Sequence, residues 1–221
     1  MPPVDFHLLL VTDRSLVRGR SLQSALRESM DAGVPAIQLR ERDLPTGELL
    51  SLAQQVRAMT RDRAVPLIIN DRVDMAVALD LDGVHLRASS LPVSVARRVL
   101  GEHRLIGVST HSMREVQQAG DDGADYVILG PIFETPSKRE FGEPLGVAVL
   151  AAACRHSSVP VFAIGGITRE QIESVCGAGA FGVAMIGGIL GREDVGKATA
   201  DMQAAVRAAW PPDSRDDSHA R

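Results

Sequence analysis

Aromatic side chains are scarce in this chain, 3% of its 221 residues. Platforms that stack single-stranded nucleic acid are built from aromatics, so that class of ligand is disfavoured. Positive charge is not in excess either. The formal net charge is −4, with no basic stripe of the kind that neutralises a phosphate backbone. The only cysteines, Cys154 and Cys176, stand in neither C-x-x-C nor His-flanked spacing, so they read as small buried hydrophobes rather than a metal site or redox pair. No apolar run reaches the roughly 18 residues of a membrane helix, and Met1-Pro2-Pro3-Val4-Asp5 is no secretion signal. A cytoplasmic protein without nucleic-acid or membrane partners is expected. The 20 glycines and 12 prolines have no fixed period, which excludes a collagen-like chain. What is left is one globular domain with a small-molecule site.

Short apolar runs alternate with helical patterns along the chain. The runs are Phe6–Val11, Ala36–Leu39, Leu67–Ile69, Gly83–Leu86, Leu105–Val108, Tyr126–Leu129, Val161–Ile164 and Gly182–Ile186. Each is too short for a helix and is bounded by turn or polar residues, so eight strands are predicted. Between them Ala, Leu, Val and charged residues recur at helical spacing, as in Ser21–Met30, Gly47–Arg61, Val93–Leu100, Met113–Ala119, Val147–Arg155, Arg169–Cys176 and Asp194–Ala209. This order predicts a parallel sheet. Four junctions, at Gly33, Gly83, Gly123 and Gly179, read alike as glycine helix stops feeding strands and recur at about every second unit. The fold predicted is a single closed (β/α)8 TIM barrel over residues 1–210, with a polar tail, 211–221, expected to be disordered. A doubly wound sheet would carry a glycine fingerprint after strand one, where Thr12-Asp13-Arg14 stands instead.

Barrel chemistry sits at the C-terminal strand ends, and here those ends are polar. Strand two closes with Gln38-Leu39-Arg40-Glu41-Arg42, whose alternation sends Gln38, Arg40 and Arg42 towards the mouth as an anion receptor. The competing reading is a surface Arg40–Glu41 ion pair. Asp71, after Asn70, suits either a helix N-cap or an oxygen ligand for Mg2+. His85 and Arg87 end strand four; Ser109, Thr110 and Ser112 surround His111 in sequence as a proton-handling and phosphate-contacting group, with Ser112 equally suited to an N-cap. The segment Gly130–Pro144 is long enough for a lid, and its Thr135 and Lys138 suit a phosphate. Gly165-Gly166 and Ile186-Gly187-Gly188 stand where this fold customarily builds a phosphate site.

Taken together, Gln38-Leu39-Arg40-Glu41-Arg42, Ile69-Asn70-Asp71-Arg72-Val73-Asp74, Gly83-Val84-His85-Leu86, Gly107-Val108-Ser109-Thr110-His111-Ser112, Gly130-Pro131-Ile132-Phe133, Thr135-Pro136-Ser137-Lys138 and Ile164-Gly165-Gly166-Ile167-Thr168 resemble the thiamine phosphate synthase family, which includes thiazole tautomerases. The resemblance spans nearly the whole chain. It implies condensation of hydroxymethylpyrimidine pyrophosphate with thiazole phosphate, giving thiamine phosphate and pyrophosphate, and it implies a homodimer. By the same resemblance Gln38, Arg40 and Asn70 take the pyrimidine pyrophosphate, Asp71 takes Mg2+, Ser109 and Lys138 take pyrophosphate, and Thr135 and Gly166 take the thiazole phosphate, with Ile186 and Gly187 nearby.

Two positions depart from that pattern. Arg42 replaces a customary lysine, and Arg87-Ala88-Ser89-Ser90 replaces a segment that commonly supplies the second Mg2+ carboxylate. The Ser-rich segment resembles the tautomerase branch, which moves a proton without metal through a histidine aligned with His111. A non-catalytic paralogue that binds thiamine intermediates is the third reading. Arg87, a permanent cation at a strand end, is chemically suited to hold pyrophosphate directly.

Overall fold

Eight four-to-six-residue apolar segments, one of them cut to three, form the wall of a barrel: β1 Leu8–Val11, β2 Ile37–Leu39, β3 Leu67–Asn70, β4 Gly83–Leu86, β5 Leu105–Thr110, β6 Tyr126–Leu129, β7 Val161–Ile164 and β8 Gly182–Met185. The computed structural model describes residues 4–135 and 143–211. Every neighbouring pair is parallel and β1 pairs β8, for example Leu9 with Ala184, so no edge is left open. The predicted closed (β/α)8 barrel is therefore the observed fold. The helices are α1 Leu22–Asp31, α2 Thr46–Arg61, α3 Val73–Ala78, α4 Val93–Leu100, α5 Met113–Asp121, α6 Gly146–His156, α7 Ile172–Gly177, α8 Gly187–Leu190 and α9 Val195–Ala209. The six-residue α3 and four-residue α8 are too short to give a readable period.

Both faces of each strand are buried, which is why the strands read as unbroken apolar runs rather than alternating ones. Outward residues such as Leu8, Leu10, Ile37, Leu67, Val127 and Val183 pack beneath the helices. Inward residues form a separate core of Phe6, Leu9, Val11, Ala36, Ile68, Leu105, Tyr126, Ile128, Phe162 and Ala184. Three of the few aromatics fill this interior: Phe6, Tyr126 and Phe162 contact one another with ring centroids 5.5–6.4 Å apart. Glycines give them room. A Cβ at Gly107 would run into the Tyr126 ring and lie 2.5 Å from His85 Nδ1, and one at Gly182 would lie 2.7 Å from Phe162.

The helix-stop reading holds at Gly33, Gly123 and Gly179, whose φ values of 85°, 89° and 86° are left-handed. It fails at Gly83. That residue opens β4, and a Cβ there would strike the Leu105 carbonyl; the left-handed turn is made by Asp80, φ 50°. The two-unit echo has a different physical basis at these junctions. Asp82 before β4 accepts from Leu67 N at 2.8 Å and Arg57 at 2.7 Å; Asp125 before β6 accepts from Ile106 N and Arg97, both at 2.6 Å. Each carboxylate thus clamps one strand to the next, with an arginine from α2 or α4, at the N-terminal end of the barrel. The cysteines are only half-buried and unpaired, with burial pushing the Cys154 thiol up to about 11. Residues 212–221 of the predicted tail lie outside the described residues.

Candidate active site

The strand β2 ends at Leu39, and beyond it the alternation from Gln38 to Arg42 is broken, with Glu41 buried and Arg42 exposed. Gln38 is buried and Arg40 half-buried, while Arg42 is exposed. Of the three side chains predicted to converge, Gln38 is buried below, while Arg40 and the exposed Arg42 face one cleft, the Arg42 cation close enough to act on Arg40. The residue turned inward beyond the strand end is Glu41, 5% exposed. It accepts from Thr12 Oγ1 at 2.6 Å and from Arg14 N at 3.1 Å, and it does not pair with Arg40. Thr12 Oγ1 also accepts from Arg40 N at 2.8 Å, so a buried hydroxyl links the ends of β1 and β2.

Among the described residues the Arg40 guanidinium has no carboxylate partner. Burial, then the like charge of Arg42, lowers its pKa, with Arg87 adding to the effect and Asp13 and Glu41 opposing it. Beside it the Gln38 side chain donates to Asn70 Oδ1 at 3.4 Å, leaving Gln38 Oε1 buried without a hydrogen bond. A partly desolvated cation next to an orphaned amide oxygen is a site made for a polar anionic ligand.

Deeper in the mouth, β4, β5 and β6 bring together His85, Ser109 and Tyr126. The His85 ring lies between Tyr126 Oη, 3.3 Å from Nδ1, and Ser109 Oγ, 2.8 Å from Nε2. Burial pushes the imidazole down to about 3 and pushes the Tyr126 phenol far up, so both are neutral at physiological pH. The buried phenol has no other hydrogen-bond partner among the described residues, so its O–H donates to Nδ1. Nε2–H then donates to Ser109 Oγ, and the serine proton is left to point into the mouth. His85 is thus a positioning residue beneath Ser109. Tyr126, the only tyrosine, was read from sequence merely as a strand residue.

Asp71 follows β3 with φ 65°, uncommon outside glycine. It caps no helix: α3 begins after Arg72 without a side-chain cap. Its carboxylate instead accepts from Arg87 Nε at 2.5 Å and from a second Arg87 nitrogen on one oxygen, and from Ser90 Oγ on the other. Ser90 Oγ in turn accepts from Arg87 N at 2.7 Å. Among the described residues no group of three His, Cys, Asp or Glu could hold a metal ion.

The hydroxyls near His111 in sequence do not surround its ring. Ser109 faces His85, Thr110 donates to Ile128 O at 3.2 Å, and Ser112 caps α5 through Glu115 N. The exposed His111 ring bonds through Nδ1 to Gly130 O at 2.7 Å. The start of the segment after β6 is pinned rather than free: Ile132 N and Phe133 N donate to Ile164 O and Gly165 O at 2.9 and 3.0 Å. Thr135 lies at the edge of the description, and Lys138 lies outside it. Packing also requires glycine at Gly165 and Gly166, with φ 97° and 66°, because Pro131, Phe133 and Glu134 occupy the space of any Cβ. Ile186 and Gly187 stand at the start of α8, which follows β8, the neighbour of β1. A cleft of about 780 Å3 opens beside the mouth, with Asp13, Arg40, Arg42 and Gln55 among its walls.

The chain matches the family model for thiamine monophosphate synthase over residues 8–189. A thiamine-phosphate synthase from Chloroflexus aurantiacus is 41% identical over 203 residues, 92% of this chain and 94% of the relative. Another from Clostridium novyi is 38% identical over 192 residues, 87% of this chain and 94% of the relative. The solved structure of thiamine phosphate pyrophosphorylase from Pyrococcus furiosus has TM-score 0.82 and 33% identity, covering 91% of this chain and 96% of that one. A 3-hexulose-6-phosphate synthase structure, TM-score 0.70 at 18% identity, shares the fold alone. With the matched model spanning most of the chain, this protein belongs to the thiamine monophosphate synthase family.

Proposed function

We propose that this chain is a thiamine phosphate synthase, joining hydroxymethylpyrimidine pyrophosphate to thiazole phosphate. The carrying observation is the unpaired, half-buried Arg40 beside the orphaned Gln38 Oε1 at the end of β2. In the reaction the bond from the pyrimidine methylene carbon to the pyrophosphate oxygen breaks, its electron pair leaving on oxygen. The thiazole nitrogen lone pair then bonds to that carbon, and no proton is transferred. The enzyme's main task is to stabilise the departing charge. Arg40 supplies a forked cation for it, and Ser109, oriented by His85, supplies a neutral donor. Gln38 and Asn70 offer amide groups to the pyrimidine. Lys138, Thr135, Gly166 and Gly187 are assigned to the phosphate groups by sequence pattern. No step is routed through Mg2+ at Asp71, because both oxygens of that carboxylate are engaged by Arg87 and Ser90.

Incubation of the purified protein with both substrates and Mg2+ tests the proposal: thiamine phosphate and pyrophosphate should form, and absence of turnover at saturating substrate overturns it. One observation favours a second reading, the thiazole tautomerase. Donation from His111 Nδ1 to Gly130 O leaves Nε2 as an exposed proton acceptor. Isomerisation of thiazole carboxylate phosphate that persists in EDTA and is lost in His111→Ala would establish it.

A further inference from the structure

Synthases of this family are generally Mg2+-dependent. The residues at the corresponding strand ends of this chain do not fit that ion. Mg2+ demands near-octahedral oxygen ligation, with one or two carboxylates and the remainder from water and phosphate. Here one carboxylate stands at the end of β3, and both of its oxygens are already engaged, Oδ2 by two nitrogens of the Arg87 guanidinium and Oδ1 by the Ser90 hydroxyl. The arrangement is braced: Ser90 Oγ accepts from Arg87 N, and Asp71 N donates to His85 O at 3.0 Å, which holds the left-handed turn against β4. The carboxylates at the neighbouring strand ends are committed as well, Glu41 to Thr12 and Arg14, and Asp13 through Oδ1 to Ser15.

The charge balance points the same way. Arg40, Arg42 and Arg87 lie close enough that the latter two lower the Arg40 pKa, with Asp13 and Glu41 opposing them; Asp71 pairs with Arg87 and Glu41 with Arg14, while Arg40 has no carboxylate partner among the described residues. A mouth with an unpaired guanidinium at Arg40, a second at Arg87 and, among the described residues, no ligand set for a divalent ion is complementary to a polyanion as it stands. A guanidinium has five donors in a fixed fork; with two on Asp71, Arg87 retains others on an exposed side chain.

We infer that Arg87, seated on Asp71, is a resident cation in the place of a divalent metal, and that it binds the pyrophosphate group directly together with Arg40. Asp71 is then a positioning residue for Arg87 and not a metal ligand. The inference rests on the synthase reading for its substrate, and it concerns the pyrophosphate oxygens only: the same carbon–oxygen bond breaks, with the electron pair received by oxygens that Arg87 and Arg40 contact.

The test is calorimetric titration of inorganic pyrophosphate into the metal-free protein in EDTA, beside electron paramagnetic resonance of added Mn2+ and a turnover assay with both substrates. Wild type should bind pyrophosphate in EDTA and hold no Mn2+ in the absence of pyrophosphate. Arg87→Met, checked for its fold by circular dichroism, should lose affinity for pyrophosphate in EDTA by tenfold or more, and Arg87→Lys should recover only part of it. Turnover by wild type should survive EDTA with less than a threefold loss. Pyrophosphate binding that requires Mg2+, Mn2+ bound at Asp71 in the free protein, or unchanged affinity in Arg87→Met each overturns the inference; the first two need no variant. Turnover in Mg2+ alone, with no pyrophosphate binding in EDTA, removes the inference and leaves the synthase reading intact. Arg87-dependent pyrophosphate binding without turnover under any metal condition does the reverse.

Discussion

His85 Nε2 lies 2.8 Å from Ser109 Oγ, and with Tyr126 donating at the other ring nitrogen that contact fixes which way the serine proton faces. Ser109→Ala should lower kcat for thiamine phosphate formation by roughly 100-fold, the order reported for loss of one preorganised donor. Tyr126→Phe frees the tautomer without touching substrate and should cost roughly tenfold, as orienting groups behind a functional side chain do. Steady-state kinetics on both variants check this; equal activity of Tyr126→Phe and wild type would remove the relay.

Stability should fall with acid because of His85. Its folded pKa is depressed to about 3, so between the unfolded value near 6.5 and that point the unfolded chain binds the extra proton. The group's contribution is therefore fully present above about pH 6.5 and declines below it. From pH 7 to pH 5 the decline should be about 2 kcal/mol. The charges felt by this ring are Asp71, which opposes the shift, and Arg40, which adds to it. Urea unfolding at the two pH values, in wild type and His85→Gln, isolates the effect as the difference between the two pH dependences.

Arg40→Lys should fail to replace Arg40. The position holds a fork with no internal partner among the described residues, and a lysine offers a single, more strongly hydrated charge there. A loss of roughly 100-fold in kcat/KM for the pyrimidine pyrophosphate is expected, with an unchanged melting temperature. The corresponding change at exposed Arg42 should cost no more than a few-fold.

Asp125→Ala should destabilise the barrel by about 3–5 kcal/mol, because it takes the counter-charge from the Arg97 guanidinium, 14% exposed and left with backbone carbonyls alone, and strands the Ile106 amide. Denaturant midpoints of Asp125→Ala, Arg97→Ala and the double variant should be strongly non-additive.

Gly107→Ala should destabilise the fold by 1–3 kcal/mol or more through overlap with Tyr126, and should also disturb His85. Thermal unfolding measures the first effect, and the pH dependence of stability measures the second.

Much of this was legible in sequence because it is periodic. Eight apolar runs bounded by turns, buried on both faces, announce the barrel, and β4, β6 and β7 have the boundaries expected of them. The mouth was harder because periodicity ends with the strand. Alternation carried from Gln38 to Arg42 goes wrong after Leu39, where the strand ends and Glu41 is buried against Thr12, a contact 29 positions apart. Asp71 was legible as an acid at a strand end, but its partner Arg87 is 16 residues away and the turn that aims it is left-handed. The need for glycine at Gly107 and Gly182 is invisible in sequence, because it is set by Tyr126 and Phe162 on neighbouring strands.

The two aspartate clamps, at Asp82 and Asp125, stand at the opposite end of the strands from Arg87 and Asp71. Such a separation gives the molecule evolutionary latitude. A change of charge in Arg87–Ser90 at the mouth touches neither clamp, so the chemistry of charge neutralisation can be rewritten in a lineage without a folding penalty to be repaired afterwards.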